Sequence, residues 1–296
     1  MVDLFILGCF RSGTSLLRTR LTSSPEVFIP EETKFLTYLI DNFDKKEAPI
    51  EVHKIISRQG WEKKISLDRI RHVFKQETEI QEIFWNISLT HCSNLSNIKV
   101  RGDKTPYYAK IYKKITMLFP KAKIIYLLRD GRDVFASVKN LHIGYARTPI
   151  IAAAYWHHRS SPSVNHQNTY ILKYEDFVKS PKDKLASVCK FLGINFSEEM
   201  LSSAKNSDAA KLSRQPHHKK VSKKIFLDSV SSFENKLSKF EIYCFELYAY
   251  KRLDNLGYKL NNSMRLLNLT RFLIPILFLF ELPYAVYKTF VIRANK

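Results

Sequence analysis

Two short segments carry residue types at spacings suited to holding a phosphate-like anion. The first is Gly8-Cys9-Phe10-Arg11-Ser12-Gly13-Thr14-Ser15, which follows an apolar run and precedes a helical pattern. In that context a turn of backbone N–H groups and a helix start point at one anion. The spacing is the GxxxxG of a nucleotide triphosphatase loop, but Thr14 stands where that loop has its lysine, and the cation lies inside the loop as Arg11. A clamp on a γ-phosphate is therefore not expected. The second segment is Leu128-Arg129-Asp130-Gly131-Arg132-Asp133, followed by a helical pattern that carries Ser137. Arg129 at a strand end and Ser137 in the next helix can converge on one anion, because both belong to the ligand edge of a parallel sheet. Taken singly, each segment has a plainer reading: a glycine turn without ligand, and a charged turn in which Asp130 or Asp133 caps a helix. His157, His158, His217 and His218 lack metal-ligand spacing, and Cys9, Cys92, Cys189 and Cys244 form no CxxC pair. No metal site is expected, and the thiols read as reduced.

The elements that must position these segments are visible as short apolar runs at 3–7, 123–128 and 169–173, each rich in β-formers. Helical patterns cover 15–24, 109–119, 133–141, 181–192 and a long stretch at 233–256. Strands alternating with helices predict an α/β fold with a P-loop-type parallel sheet flanked by helices. Residues 41–96 read as a helical insertion and 205–224 as a polar, basic loop. The main domain is expected over 1–262, with a C-terminal apolar helical appendage over 263–296. The chain has 296 residues, 45% of them hydrophobic, enough for one large core or two small ones. Its 48 Lys and Arg against 28 Asp and Glu give a net charge of +20, which points to anionic partners, and together with the hydrophobic content this disfavours disorder and an acidic-tail protein.

The pairing of the two anion segments resembles the PAPS-dependent sulfotransferases, enzymes that use 3′-phosphoadenosine 5′-phosphosulfate (PAPS). Arg11, Ser12, Gly13, Thr14 and Ser15 are similar to that family's 5′-phosphosulfate loop. Arg129 followed eight residues later by Ser137 resembles its 3′-phosphate site. Lys104-Thr105-Pro106, Tyr174-Glu175-Asp176 and Leu256-Gly257-Tyr258 are similar to its KTP, YED and LGY segments. Pro25-Glu26-Val27 and Glu31-Glu32-Thr33 repeat in register the HPEV and EET pattern of the tyrosylprotein sulfotransferases. The resemblance implies sulfuryl transfer from PAPS to an acceptor hydroxyl, with 3′,5′-ADP as product. It implies Glu32 as the base, with Glu31 the alternative, and Lys104 as the cation on the leaving oxygen. It also implies Ser232 near the sulfonate and Tyr174 on the nucleotide side; a core tyrosine is the plainer reading of the latter.

Departures from those relatives leave the acceptor open among a tyrosyl peptide, a glycan, a lipid and a small molecule. Phe28-Ile29-Pro30 precedes Glu31, so the disulfide of the tyrosylprotein enzymes is not expected, and the lysine segment is DKTP. The N-terminus reads as a cytoplasmic start without a signal peptide. Residues 272–287 form an apolar stretch of sixteen with one acid, Glu281, and two prolines, Pro275 and Pro283. That falls short of the roughly 20 residues a spanning helix needs. With Arg265 and Arg271 before it and Lys288, Arg293 and Lys296 after, the stretch suits a helix lying on an anionic membrane surface; packing on the domain or in a homodimer is the alternative. The six cations between Lys211 and Lys224 suit a solvated surface or a segment closing over PAPS or an acidic acceptor. A P-loop nucleoside or small-molecule kinase is disfavoured by Thr14. A nucleic-acid-binding protein is disfavoured by the lack of a binding module.

Overall fold

The apolar run at the start of the chain forms β1 (Val2–Gly8) in the computed structural model. The structure describes residues 1–59, 65–92, 95–139, 148–161, 167–201 and 227–294, with side chains described outside residues 91, 227 and 285–294. Both faces of β1 are covered. Leu4 and Ile6 enter a cluster with Leu17, Leu21, Ile125 and Leu127, while Phe5 lies among Phe84, Trp85 and Phe119. A strand buried on two sides needs an unbroken apolar run, which marks the centre of a parallel sheet.

That sheet has the order β2-β3-β1-β4-β5, with β2 (Val27–Phe28), β3 (Val100–Asp103), β4 (Lys123–Leu128) and β5 (Thr169–Lys173). The registered pairs are parallel: Phe5 is opposite Asp103 on one side and Ile124 on the other. The order grows to one side of β1 and then crosses to the other. The carboxyl ends of β1 and β4 therefore flank the reversal point, where open α/β sheets bind ligands. The three predicted strands are present, and β2 and β3 add to them.

The helices are α1 (Thr14–Leu21), α2 (Leu36–Asn42), α3 (Ala48–Ser57), α4 (Leu67–Gln76), α5 (Ile80–Ser88), α6 (Tyr112–Leu118), α7 (Gly131–Val138), α8 (Pro149–Arg159), α9 (Tyr174–Lys179) and α10 (Pro181–Leu192). They continue with α11 (Phe233–Lys236), α12 (Lys239–Asn255), α13 (Met264–Leu269) and α14 (Ile274–Ala294). The helical insertion is α2 to α5. The expected helix at 109–119 instead starts as a 3-10 turn, Pro106–Ile111, before α6. The long helix expected at 233–256 is broken at Leu237 and Ser238, because Ser238 and Glu241 form a capping box that starts α12 afresh. α8 was not expected and is added.

The chain divides into two units. One holds Met1–Gly8, Gly13–Leu127 and Pro162–Ile225; the other holds Cys9–Ser12, Leu128–Ser161 and Phe226–Lys296. The sheet belongs to the first. In the second, Phe135, Ala153, Trp156, Phe245 and Leu253 form the core between α7, α8 and α12. A fully buried carboxylate, Glu246, lies within α12. It accepts hydrogen bonds from Arg132 (2.6 Å) and from the backbone N–H groups of Asn261 and Asn262, and Arg132 is held in turn by Asp130. Each charge thus has a partner, as a buried charge requires.

α7 can begin against this core only because its first residue is Gly131. A Cβ there would lie 2.5 Å from Trp156 Cδ2 and 2.6 Å from Phe245 Cζ. Gly131→Ala should lower stability by about 1–3 kcal/mol, read as a reduced urea midpoint at unchanged slope.

Candidate active site

In the first unit, Glu32 and Lys104 meet. Lys104 Nζ donates to Glu32 Oε1 at 2.7 Å, and Lys34 approaches the other carboxylate oxygen at 3.5 Å. The Lys104 side chain is 4% exposed and that of Glu32 28%. Burial pulls the Lys104 ammonium below its ordinary pKa, with Glu32 opposing. Burial pushes Glu32 up, but the two lysines outweigh it and hold the carboxyl below its ordinary value. Each group of the pair thus offsets part of the burial cost of the other's charge. Glu31 is half-buried and makes no ion pair among the described residues.

A buried network behind the pair fixes both residues. Thr33 Oγ1 donates to Asp103 Oδ2 (2.8 Å), and the backbone N–H of Thr33 donates to Thr105 Oγ1 (3.2 Å). Thr105 Oγ1 also donates to Asp103 Oδ2, and the Tyr108 hydroxyl bonds Thr33 Oγ1 while accepting from the Leu36 N–H. The neighbours of Glu32 are thereby tied to the neighbours of Lys104. Arg18 on α1 adds a bond from Nε to the Ile29 carbonyl at 2.9 Å, anchoring the approach to Glu32. α1 itself starts without a side-chain cap and with no acid in its first turn, so its N-terminal N–H groups suit an anion. Its N-cap, Gly13, has φ +94°, and a Cβ there would lie 2.5 Å from the Tyr174 ring. The buried Tyr174 therefore packs against the loop.

In the second unit, Arg11, Ser137 and Arg129 converge. Arg11 Nε donates to Ser137 Oγ (3.0 Å), and Arg129 donates to the carbonyls of Arg11 (2.8 Å) and Ser229 (2.7 Å). Ser12 has a buried hydroxyl with no hydrogen-bond partner among the described residues. Ser232 donates to Asp133 Oδ1 at 3.1 Å, and Asp133 also accepts from the N–H groups of Ser231 and Phe233. Of the two acids read as caps, Asp130 caps α7, whereas Asp133 anchors the Ser231–Phe233 backbone. Burial raises the Asp133 carboxyl, and Arg129 pulls it back.

Thr14 is buried and Ser15 half-buried at the start of α1. Within the second unit, the unpartnered Ser12 hydroxyl and the Arg11–Ser137–Arg129 cluster suit an anion; within the first, the uncapped start of α1 does so by itself. The cations of residues 211–224, with His217 and His218, lie outside the described residues. All four cysteines are free thiols, and no group of metal-ligating side chains occurs among the described residues. Asp103, Thr33 and Tyr108 were missed by sequence reasoning. The signal for the first two was their adjacency to Lys104 and Glu32; Tyr108 had none.

A parallel sheet whose first and fourth strands lead into basic, hydroxyl-bearing loops defines a P-loop-type α/β protein. Residues 3–198 match the family model described as Sulfotransferase family, and the chain belongs to that family. It is 24% identical over 213 residues to protein-tyrosine sulfotransferase 2 of Gallus gallus, a match covering 67% of this chain and 53% of the relative. The chain spans about half the length of the curated relatives it matches. Among solved structures it is similar in fold to the sulfotransferase domain of the Synechococcus PCC 7002 olefin synthase, with a TM-score of 0.65, 19% identity, and coverage of 88% of this chain and 96% of that one. The sulfotransferase domain of the curacin biosynthetic pathway gives 0.58 at 20% identity, over 88% and 98%.

Asp103 makes the network sensitive to pH. Burial raises its carboxyl from 3.8 to about 6, against the hydrogen bonds from Thr33 and Thr105. A carboxyl raised in the folded state contributes stability that is full below its unfolded pKa and lost as pH rises through the folded value. Between pH 4 and 7, wild type should therefore lose stability relative to Asp103→Asn, on the order of 3 kcal/mol, measured by denaturant unfolding of both proteins. A difference that stays constant across that range would refute the assignment.

Proposed function

We propose that the protein transfers a sulfuryl group from PAPS to the hydroxyl of an acceptor, releasing 3′,5′-ADP. The observation that carries this reading is the Lys104–Glu32 contact of 2.7 Å in a chain of the sulfotransferase family. PAPS supplies, when bound, a sulfuryl group on a 5′-phosphate that leaves readily. Arg11, with Ser12, Gly13, Thr14 and Ser15, serves the 5′ side, and Arg129 with Ser137 the 3′-phosphate. Tyr174 supports the loop through Gly13, and Ser232 serves the sulfonate side.

Glu32 takes the acceptor proton as the acceptor oxygen bonds to sulfur, and Lys104 neutralises the oxygen released when the sulfur–oxygen bridge breaks. In an in-line displacement the attacking and leaving oxygens lie on opposite sides of the sulfur. The two groups serving them cannot remain in contact, so the ion pair opens on donor binding. Lys104 then turns to the bridge oxygen, and Glu32, left with only the more distant Lys34, becomes a stronger base. The acceptor is a hydroxyl compound: similarity to protein-tyrosine sulfotransferases supports a tyrosyl peptide, and the DKTP segment supports a glycan or small alcohol.

Thermal unfolding should rise with 3′,5′-ADP, in proportion to the logarithm of its concentration above saturation. Stabilisation by ATP with Mg²⁺ but not by 3′,5′-ADP would overturn the proposal in favour of a kinase. Arg129→Ala should weaken 3′,5′-ADP binding by about 10–100-fold, measured by calorimetry. Glu32→Gln should leave that binding intact while lowering kcat by about 10²–10⁴-fold with labelled PAPS and a responsive acceptor. An active Glu32→Gln enzyme would move the base to Glu31 or elsewhere.

A further inference from the structure

Between Phe272 and Tyr284 the sequence holds one charged residue, Glu281, in an otherwise apolar run. The structure shows where that charge goes. α14 packs on α8, and the Glu281 carboxylate accepts hydrogen bonds from the backbone N–H groups of Ile150 (3.0 Å) and Ile151 (3.2 Å) in the first turn of α8. Ile274 and Leu277, which share its helical face, pack against Leu247, Tyr250 and Leu267. Folding thus takes the one acid inward, where it satisfies N–H groups that the helix start leaves open.

The opposite face is left without charge. Leu279 and Phe280 are 71% and 75% exposed, Ile276 lies on the same stripe at 47%, and Phe272, in the 3-10 turn that precedes α14, is 71% exposed. A contiguous apolar patch of this kind marks an interaction surface. No helix among the described residues is long and apolar enough to cross a membrane, and Pro283 lies within α14. At the head of the stripe stand exposed Arg265 and Arg271, and the sequence after Glu281 adds Lys288, Arg293 and Lys296 with no further acid.

We propose that the outward face of α14 lies on the surface of an anionic lipid bilayer, its aromatic and aliphatic side chains in the acyl boundary and the flanking cations on the headgroups. Apolar insertion combined with basic flanks is the composition of an interfacial helix. A second copy of the chain is the less fitting occupant, since it would bring the same cations together on a protein of net charge +20. The surface is independent of the assigned catalytic residues.

The test is flotation of the full-length protein with vesicles of phosphatidylcholine, alone or mixed with phosphatidylglycerol. Binding to the mixed vesicles, weakened by salt, is expected. Leu279→Ser/Phe280→Ser should reduce it by about 10-fold or more with an unchanged unfolding temperature. Arg265→Ser/Arg271→Ser should reduce it about fivefold per residue, on anionic vesicles only. As a measurement free of any loss-of-function variant, Phe280→Trp should shift its fluorescence to the blue on adding those vesicles. Three results would overturn the proposal: no vesicle binding, binding that neither double variant changes, or a solution dimer that Phe280→Ser dissociates in a protein that does not bind lipid.

Discussion

An ammonium taken out of water is tolerated only with a counter-charge beside it, and at Lys104 that counter-charge is Glu32. Much of the first unit is arranged to keep the two in contact. They come from segments far apart in sequence, so their meeting depends on β1–β3 pairing, which puts Asp103 opposite Phe5 at the end of the ladder. From there Asp103 and Thr105 hold Thr33 from one side, and Arg18 holds the Ile29 carbonyl from the other. The apolar core therefore fixes the sheet, the sheet fixes the hydrogen-bond network, and the network fixes the ion pair. Asp103 is the weak point of that sequence, since its Oδ1 is buried with no partner among the described residues.

The second unit solves a different problem, holding backbone in a conformation it resists. Arg11 and Ser231 have φ of 73° and 53°, as Lys34 beside Glu32 has 59°. The left-handed region costs a non-glycine residue on the order of 1–2 kcal/mol. All three flank residues assigned to binding or chemistry. Arg129 grips the Arg11 carbonyl and, through Ser229, the approach to Ser231, while Asp133 fixes the backbone N–H groups beyond it. One arginine thus holds two strained stretches, and its guanidinium has positional work even before a ligand arrives.

The sequence made some of this legible. β1, β4 and β5 could be read because each is a self-contained apolar run. β3, Val-Arg-Gly-Asp, could not, since its burial comes from its place beside β1 and not from its own composition. Two-residue β2 is too short to carry a pattern. α8 escaped because its alanine-rich start gives little periodicity, although Pro149 after Thr148 is a helix-start signal. The break before α12 was available as Ser-x-x-Glu at Ser238 and Glu241. At the site, the residues that would touch a ligand were legible by type and spacing, and those that position them were not. Thr33, Asp103 and Tyr108 act through bonds spanning 70 or more residues, which local spacing does not encode.

The way the chain passes between its units also bears on how the protein is made. Cys9–Ser12 emerges from the ribosome early, yet its unit is completed only by Phe226–Lys296. The carbonyl that Arg129 needs beyond Arg11 belongs to Ser229, 100 residues later. Contacts of such sequence separation form slowly, after much loop-closure entropy has been lost. A nascent chain can assemble the sheet around β1 while its arginine loop still lacks its supports. Competence to hold an anion there is thus gained late in folding, and a product truncated before Ser229 would lack that support.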